Sequence, residues 1–108
     1  MTYELKPFHT NQKSFYRKAM VTAVYNGDDL YLVLQSYDTL VVMVKISKFG
    51  MPYVRRLWPG YSATTQRHVN ELLMQEGFPK LSARAWRAME LEKFYSPYDV
   101  PALEKSLK

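Results

Sequence analysis

The side chains best suited to acid–base or metal chemistry are few in this sequence. Its 108 residues include two histidines and no cysteine, which excludes a thiol nucleophile, a thiolate metal site and a disulfide framework. His68 and Glu71 have the spacing of one helix face, whereas His9 lies in a different region. A metal site needs three or four protein ligands. We therefore expect no metal and no other cofactor.

Motifs that position a nucleophile or a phosphate are also missing from the sequence. The four glycines form no G-x-S-x-G elbow, no phosphate-binding loop and no dinucleotide fingerprint. The carboxylates are scattered, and the adjacent Asp28 and Asp29 follow Asn26-Gly27, which indicates turn chemistry. The sequence therefore predicts that this protein is not an enzyme.

Basic and aromatic side chains form a pattern that is more typical of binding. The net charge is +5. A first cluster lies beside Phe15 and consists of Tyr16, Arg17 and Lys18. The side chain of Phe15 should point inward, which leaves those of its neighbours pointing outward. A second cluster flanks a predicted turn over 49–52, and consists of Lys45, Lys48, Tyr53, Arg55 and Arg56. Cations neutralise phosphates and aromatic rings stack on bases. Hairpin pairing is expected to gather the four cations of the second cluster at one end of a sheet. The alternative is that they only solvate the surface.

The start of a predicted helix near residue 63 is a third candidate binding position. Ser62 is suited to cap this helix, Thr64 lies in its first turn, and Arg67 follows one turn later. Free amides and the positive end of the helix dipole can hold an anion at such a position. Plain capping by Ser62 is the simpler interpretation, and both stay open.

Strand periodicity dominates the first half of the chain. Alternating apolar residues predict four short strands between about residues 16 and 58. Asn26-Gly27 predicts a hairpin, since both residues tolerate the positive φ of a type I′ turn. Asp28-Asp29 extends this turn, so its loop length stays open, and further breaks fall at 36–39 and 49–52. Because the connections are short, an antiparallel meander is expected.

One face of this sheet should form the core, together with the helices. The core face is predicted to carry Leu30, Leu32, Leu34, Leu40, Val42, Val44 and Ile46. It should meet four apolar residues of the helices, namely Val69, Leu72, Leu73 and Trp86. The opposite face, with Tyr31, Lys45 and at least one of the paired arginines, is expected to be partly exposed to solvent.

Helical spacing replaces alternation after Pro59-Gly60. We predict helices over about 63–76 and 82–95, with Ser82 capping the second and Gly77 ending the first. A tail over 96–108 follows, with a short helix at 101–107. The whole chain, 1–108, is predicted to be a single α+β domain in which two helices pack on one face of a four-stranded antiparallel meander.

Three stretches together resemble a family of small uncharacterised proteins from phages and other mobile elements, chiefly of Gram-positive bacteria. They are NQKSFYRKA over 11–19, SYDT over 36–39 and GYSATTQRHVNEL over 60–72. The segment 80–89 is also similar to the tail of that family. The resemblance covers roughly residues 11–90 and carries no assigned activity. It implies an accessory protein that acts inside an infected or plasmid-bearing cell.

Charge and resemblance together favour a binding function. We expect a non-enzymatic accessory protein that binds and modulates or inhibits a host protein or nucleoprotein, as anti-defence proteins such as anti-CRISPR inhibitors do. DNA mimicry is disfavoured because such mimics are strongly acidic and this chain is basic. The alternative is a basic protein that binds DNA or RNA through the second cluster.

The hydropathy pattern bears on location. No apolar run approaches the roughly 18 residues of a membrane span, and the N-terminus lacks the apolar stretch of a signal peptide. We therefore expect a cytoplasmic protein of the bacterial host cell with no membrane partner. The oligomeric state and the identity of the partner stay open.

Overall fold

The computed structural model of the protein describes residues 1–10, 12–48 and 50–92. Five strands and two helices follow one another along these residues: β1 (Thr2–Glu4), β2 (Ala19–Asn26), β3 (Asp29–Ser36), β4 (Thr39–Ser47), β5 (Tyr53–Arg56), α1 (Ala63–Gln75) and α2 (Ala83–Ala88). The strands form one antiparallel sheet in sequence order. The predicted α+β fold, an antiparallel meander followed by two helices, is confirmed.

The strand count differs from the prediction, because β1 adds a fifth strand at the edge of the sheet. Its three residues pair with β2, with Thr2 opposite Thr22 and Glu4 opposite Met20. The two threonine hydroxyls are 3.0 Å apart. Three residues are too few to show alternation, so only pairing with a longer neighbour identifies this strand.

Two-residue loops connect the central strands. Asn26 pairs with Asp29, so the loop between β2 and β3 consists of Gly27 and Asp28. Of these two, only Gly27 has a positive φ, +64°, whereas a type I′ turn needs positive φ at both. The hairpin therefore lies where it is predicted, and its two-residue loop is not a type I′ turn. In the loop between β3 and β4, Tyr37 has the positive φ, +55°.

The main core lies between the sheet and the helices. Its buried residues include Leu32, Leu34, Val42 and Val44 from the sheet and Val69, Leu72, Leu73 and Trp86 from the helices, as predicted. Leu40 is an exception, because it packs in the cluster on the opposite face. The pairing of β3 with β4 shifts between Leu34 and Gln35, and such an irregularity reverses the alternation of side chains beyond it.

The opposite face of the sheet is more buried than predicted. Tyr31, Val33 and Met43 form a second buried cluster, and Lys45 is only 7% exposed. Long side chains from neighbouring strands cover this cluster, among them Tyr53 of β5. The expectation of a partly solvent-exposed face is therefore wrong for Tyr31 and Lys45, because aromatic neighbours shield both from water.

Both helices begin at their predicted caps. Ser62 Oγ accepts a hydrogen bond from the Thr65 amide at 3.1 Å, and Ser82 Oγ accepts one from the Ala85 amide at 3.1 Å. The first helix ends at Gln75, and Gly77 follows with the positive φ, +84°, expected of a glycine after a helix end.

The second helix is shorter than the predicted 82–95. It ends at Ala88, and Met89 is extended, with φ −72° and ψ 142°. The chain then runs beside β5, where the Glu92 amide donates to the Arg56 carbonyl at 2.8 Å. Pairing with a strand edge replaces further helix here. The predicted tail over 96–108 and its short helix lie outside the described residues. No helix in the described part of the chain is long and apolar enough to cross a membrane.

Candidate functional site

The strand order brings three separate segments to one end of the sheet. In an antiparallel meander, the start of β2, the turn between β3 and β4, and the end of β5 all lie at the same end. The segment 12–18 leads into β2, residues 36–39 contain the turn, and residues 58–68 lead from β5 into α1. We call these three segments the motif end. They include most of the residues that carry the family resemblance.

Direct contacts join the three segments. The Tyr37 amide donates to the Lys18 carbonyl at 2.7 Å. Phe15 is buried, and its ring centroid lies 4.6 Å from that of His68. Ser36 Oγ lies 2.8 Å from His68 Nδ1 and 3.1 Å from Thr65 Oγ1. A buried polar network therefore ties the β3–β4 turn and the segment 12–18 to the first turns of α1.

The pairing of Ser36 with His68 has the separation of a nucleophile and its base, but the environment does not suit catalysis. His68 and Ser36 are each only 2% exposed. Burial, with the positive charge of Arg67 beside it, lowers the pKa of His68 from 6.5 to about 4. An imidazole with so low a pKa is a weak general base at neutral pH. This arrangement is suited to positioning the turn rather than to proton transfer.

A surface pocket of about 240 Å³ opens above this network. It is lined by residues of the turn, of β4 and of the segment before and within α1: Ser36, Tyr37, Thr39, Val41, Trp58, Ser62 and Thr65. Three of its hydroxyl groups already have partners, since Ser36 bonds the Thr65 hydroxyl and His68, and Ser62 caps α1. Much of the surface that the pocket offers a ligand is therefore apolar, contributed by the rings of Tyr37 and Trp58, with Val41 buried beneath them.

A strained loop stands at the edge of the motif end. Tyr16 and Arg17 have φ values of +53° and +62°, a region that costs a residue with a Cβ atom about 1–2 kcal/mol. The loop is fixed by Ser14 Oγ, which accepts from the Tyr16 amide at 2.8 Å, and by the Lys18 amide, which donates to the Phe15 carbonyl at 2.9 Å. Phe15 points inward and Tyr16 is 73% exposed, as the sequence predicts. The strained backbone exposes the side chains of Tyr16 and Arg17 to water, and both residue types are typical of interfaces.

Further cations of the motif end are exposed, and one of them lies beside the pocket. Lys18 Nζ lies 5.7 Å above the ring of Tyr37, which is 52% exposed. Arg67 is exposed on α1, three residues after the half-buried Thr64. One carboxylate, that of the exposed Asp38, belongs to the same turn. Capping by Ser62 is confirmed, whereas an anion held near Thr64 stays a prediction.

The second basic cluster does not assemble as predicted. Pairing places Lys45 opposite Tyr53, but Arg55 opposite Met43 and Arg56 opposite Val42. Arg55 shares the ring of Tyr53 with Lys45, whereas Arg56 lies at the far end of β5 from Lys45. Successive residues of a strand also point to opposite faces, so Arg55 and Arg56 diverge. The four cations, of which Lys48 is exposed, therefore do not meet at one end of the sheet, and that prediction is wrong.

Two of these cations are buried in structural roles. Lys45 lies 3.7 Å from Asp29 and 5.2 Å from the ring centroid of Tyr53. Arg56 lies 5.0 Å from the ring of Trp86, and its guanidinium donates to the carbonyls of Trp58 at 2.8 Å and Pro59 at 2.6 Å. Arg56 therefore fixes the connection between β5 and α1 and offers little to a phosphate.

We expect Arg56→Lys to lower the free energy of unfolding by about 1–3 kcal/mol. A lysine has one point charge and cannot reach both carbonyls as the planar guanidinium does. Arg55→Lys is the matched control at the neighbouring position and should cost less, because lysine keeps the positive charge that Arg55 places over the ring of Tyr53. Urea unfolding measures both. Equal losses in the two variants would contradict this role of Arg56.

A buried carboxylate, not predicted as part of any site, fastens the N-terminal segment to α1. Glu71 is fully buried and accepts from the His9 amide at 2.7 Å and from Gln75 Nε2 at 2.8 Å, while His9 Nδ1 lies 2.6 Å from it. Burial raises the pKa of Glu71, but these hydrogen bonds outweigh burial and the net effect is a lowered pKa. In the sequence, the position of Glu71 beside Leu72, in the apolar stripe of the helix, is the signal that this carboxylate is buried.

The pocket was not predicted, although the predicted strand order contains the information needed to place it. The sequence predicts a turn over SYDT but does not indicate that Tyr37 and Trp58 line one pocket. A predicted meander already implies that the β3–β4 turn and the end of β5 share one end of the sheet. In the described part of the chain, no group of three or more histidines and carboxylates could hold a metal ion.

Comparisons with curated proteins and with solved structures gave no match. The three segments of the motif end nevertheless lie within one known family. A family model described as a family of unknown function, DUF8033, matches residues 3–88. That range contains both helices and the five strands except for the first residue of β1, and the chain belongs to this family.

Proposed function

We propose that this protein is a non-catalytic binding protein whose interface is the motif end. In this proposal it is an accessory protein of phages or other mobile elements. It acts in the cytoplasm of the bacterial host, where it binds and modulates or inhibits a host protein or nucleoprotein. The proposed origin rests on the resemblance of the three motif segments. The proposed interface rests on their convergence around exposed side chains.

The strained loop is the observation that carries the proposal. Tyr16 and Arg17 are consecutive residues with positive φ, and their side chains are exposed to water. Contacts made by Ser14, Phe15, Lys18 and His68 fix the loop in this conformation. Because this loop is already fixed, less conformational entropy is lost when a partner binds. Tyrosine and arginine are also the residue types that dominate binding energy at interfaces.

Charge and burial favour a protein or nucleoprotein over free nucleic acid bound by the second basic cluster. Two cations of that cluster, Lys45 and Arg56, are buried. The exposed cations of the motif end, namely Arg17, Lys18 and Arg67, remain available to an acidic surface or to the phosphates of a nucleoprotein. Direct contact with nucleic acid would therefore have to use the motif end.

The proposal is tested by capture from a lysate of the bacterium in which the chain is found, with and without nuclease. The tagged full chain is compared with Tyr16→Ala/Arg17→Ala and with Tyr25→Ala. Tyr25 is the matched control: it is 68% exposed and lies near the β2–β3 turn, at the other end of an eight-residue strand, about 25 Å away.

Retention of one partner should fall at least about tenfold in the double variant and stay unchanged in the Tyr25 variant. Retention after nuclease treatment indicates a protein partner, whereas loss after nuclease treatment indicates nucleic acid. Equal capture by the wild-type chain and the double variant would contradict an interface at the motif end.

A further inference from the structure

We propose that the pocket of the motif end receives one large apolar side chain from an acidic segment of the partner protein. This inference rests on the proposed function and deepens it, since it names the chemistry of the occupant. Three observations carry it: the size of the pocket, the state of its polar groups and the charge around it.

The size of the pocket fits a single side chain. Its volume of about 240 Å³ is below the roughly 300–1,000 Å³ of sites that take a whole small molecule or cofactor. Interfaces commonly bury an aromatic or aliphatic side chain in a pocket of this kind, surrounded by contacts that exclude water.

The lining favours an apolar occupant. Of the hydroxyl groups that line the pocket, those of Ser36, Ser62 and Thr65 already have partners inside the protein. The hydroxyl groups of Tyr37 and Thr39 are the others in the lining. Tyr37, from the turn, and Trp58, from the segment after β5, both provide ring surface to the pocket. A nucleobase in this pocket would find few free groups to read its edges, so an apolar side chain fits better.

The charge around the pocket favours acidic flanking residues. Lys18 lies over the ring of Tyr37 at the pocket wall, Arg17 precedes it on the strained loop, and Arg67 is exposed on α1. Asp38 is the carboxylate that the turn places among them. Lys18 at the pocket wall, with the other exposed cations of the motif end, complements a segment that carries negative charge beside the inserted side chain.

The test uses the ¹⁵N-labelled full chain and capped heptapeptides. The first probe has a central phenylalanine with three aspartates on each side. A second has alanine at the centre, and a third has lysines in place of the aspartates. We expect the first probe to shift the amide resonances of Tyr37, Thr39 and Thr65. The other two should bind at least about tenfold more weakly, because each lacks one of the two recognised features.

Variants of the pocket make the test specific. Thr39 is exposed and lines the pocket, so Thr39→Phe should fill the pocket and weaken the first probe at least about tenfold. If this variant does not fold, Tyr37→Gly serves instead. It removes one wall, and glycine adopts the positive φ at this position without cost. Tyr25→Ala should bind the probe as the wild-type chain does.

Each result decides the inference. Absence of shifts, equal binding of the alanine probe, or unchanged binding by the filled pocket would overturn it. A ten-nucleotide oligothymidylate that binds the same amides more tightly than the first probe would replace it with a nucleic-acid site. Failure of the proposed function is distinguishable. If Thr39→Phe captures the partner normally and Tyr16→Ala/Arg17→Ala does not, only the pocket inference fails.

Discussion

Between pH 6.5 and pH 4, the free energy of unfolding should fall by about 3 kcal/mol through His68 alone. Burial, together with the nearby charge of Arg67, lowers the pKa of His68 in the folded state from 6.5 to about 4. Below pH 6.5, His68 binds a proton in the unfolded chain but not in the folded chain. The unfolded state is therefore stabilised relative to the folded state as the pH falls. This contribution of His68 is fully present above pH 6.5 and is lost by pH 4. Each unit of difference in pKa corresponds to about 1.4 kcal/mol.

His68→Asn tests this expectation, because asparagine can place a polar atom near the position of Nδ1 and does not titrate. The variant should be less stable than the wild-type chain at pH 7, because it loses the ring contact with Phe15. Its stability should change far less between pH 7 and pH 4, as measured by urea unfolding at each pH. The lowered pKa of Glu71 adds a separate loss that grows as the pH falls below the ordinary value of 4.5. Parallel pH curves for variant and wild type would show that His68 does not couple stability to pH.

Leu72→Ala should lower the free energy of unfolding by about 2–5 kcal/mol. Leu72 is completely buried in the main core, between α1 and the sheet. The variant loses the transfer free energy of the deleted carbons and leaves a cavity that the neighbours fill only in part.

Met51→Ala is the control for a change of similar size at the surface. Met51 is exposed, so its replacement should change the stability by less than about 0.5 kcal/mol. Thermal and urea unfolding should agree on both variants. A melting temperature of Leu72→Ala equal to that of the wild-type chain would show that α1 is not part of the core.

The main elements follow from patterns that are local in the sequence. Alternation predicts β2, β3 and β4, and the serine caps with Gly77 predict where the first helix begins and ends. The fifth strand, β1, is different, because Thr2–Glu4 becomes a strand only through pairing with residues some twenty positions away. The second helix ends early for a similar reason, since the edge of β5 offers Glu92 a backbone partner.

The site was less predictable, because side-chain burial depends on which strands are neighbours. Charge alone suggested that Lys45 and Arg56 face a ligand, yet aromatic rings and backbone carbonyls of adjacent elements enclose both. Tyr16 and Arg17 were predicted to point outward because Phe15 supplies the apolar contact, and the structure agrees. Their positive φ values have no signal in the sequence, since glycine or asparagine would be expected there.

The most direct test of the central claim, an interface at the motif end, separates the shape of the strained loop from its side chains. Tyr16→Gly/Arg17→Gly should leave the melting temperature unchanged or higher, because glycine adopts positive φ without cost. Capture of the partner should nevertheless fall at least about tenfold. Undiminished capture by a fully folded glycine variant would contradict the account.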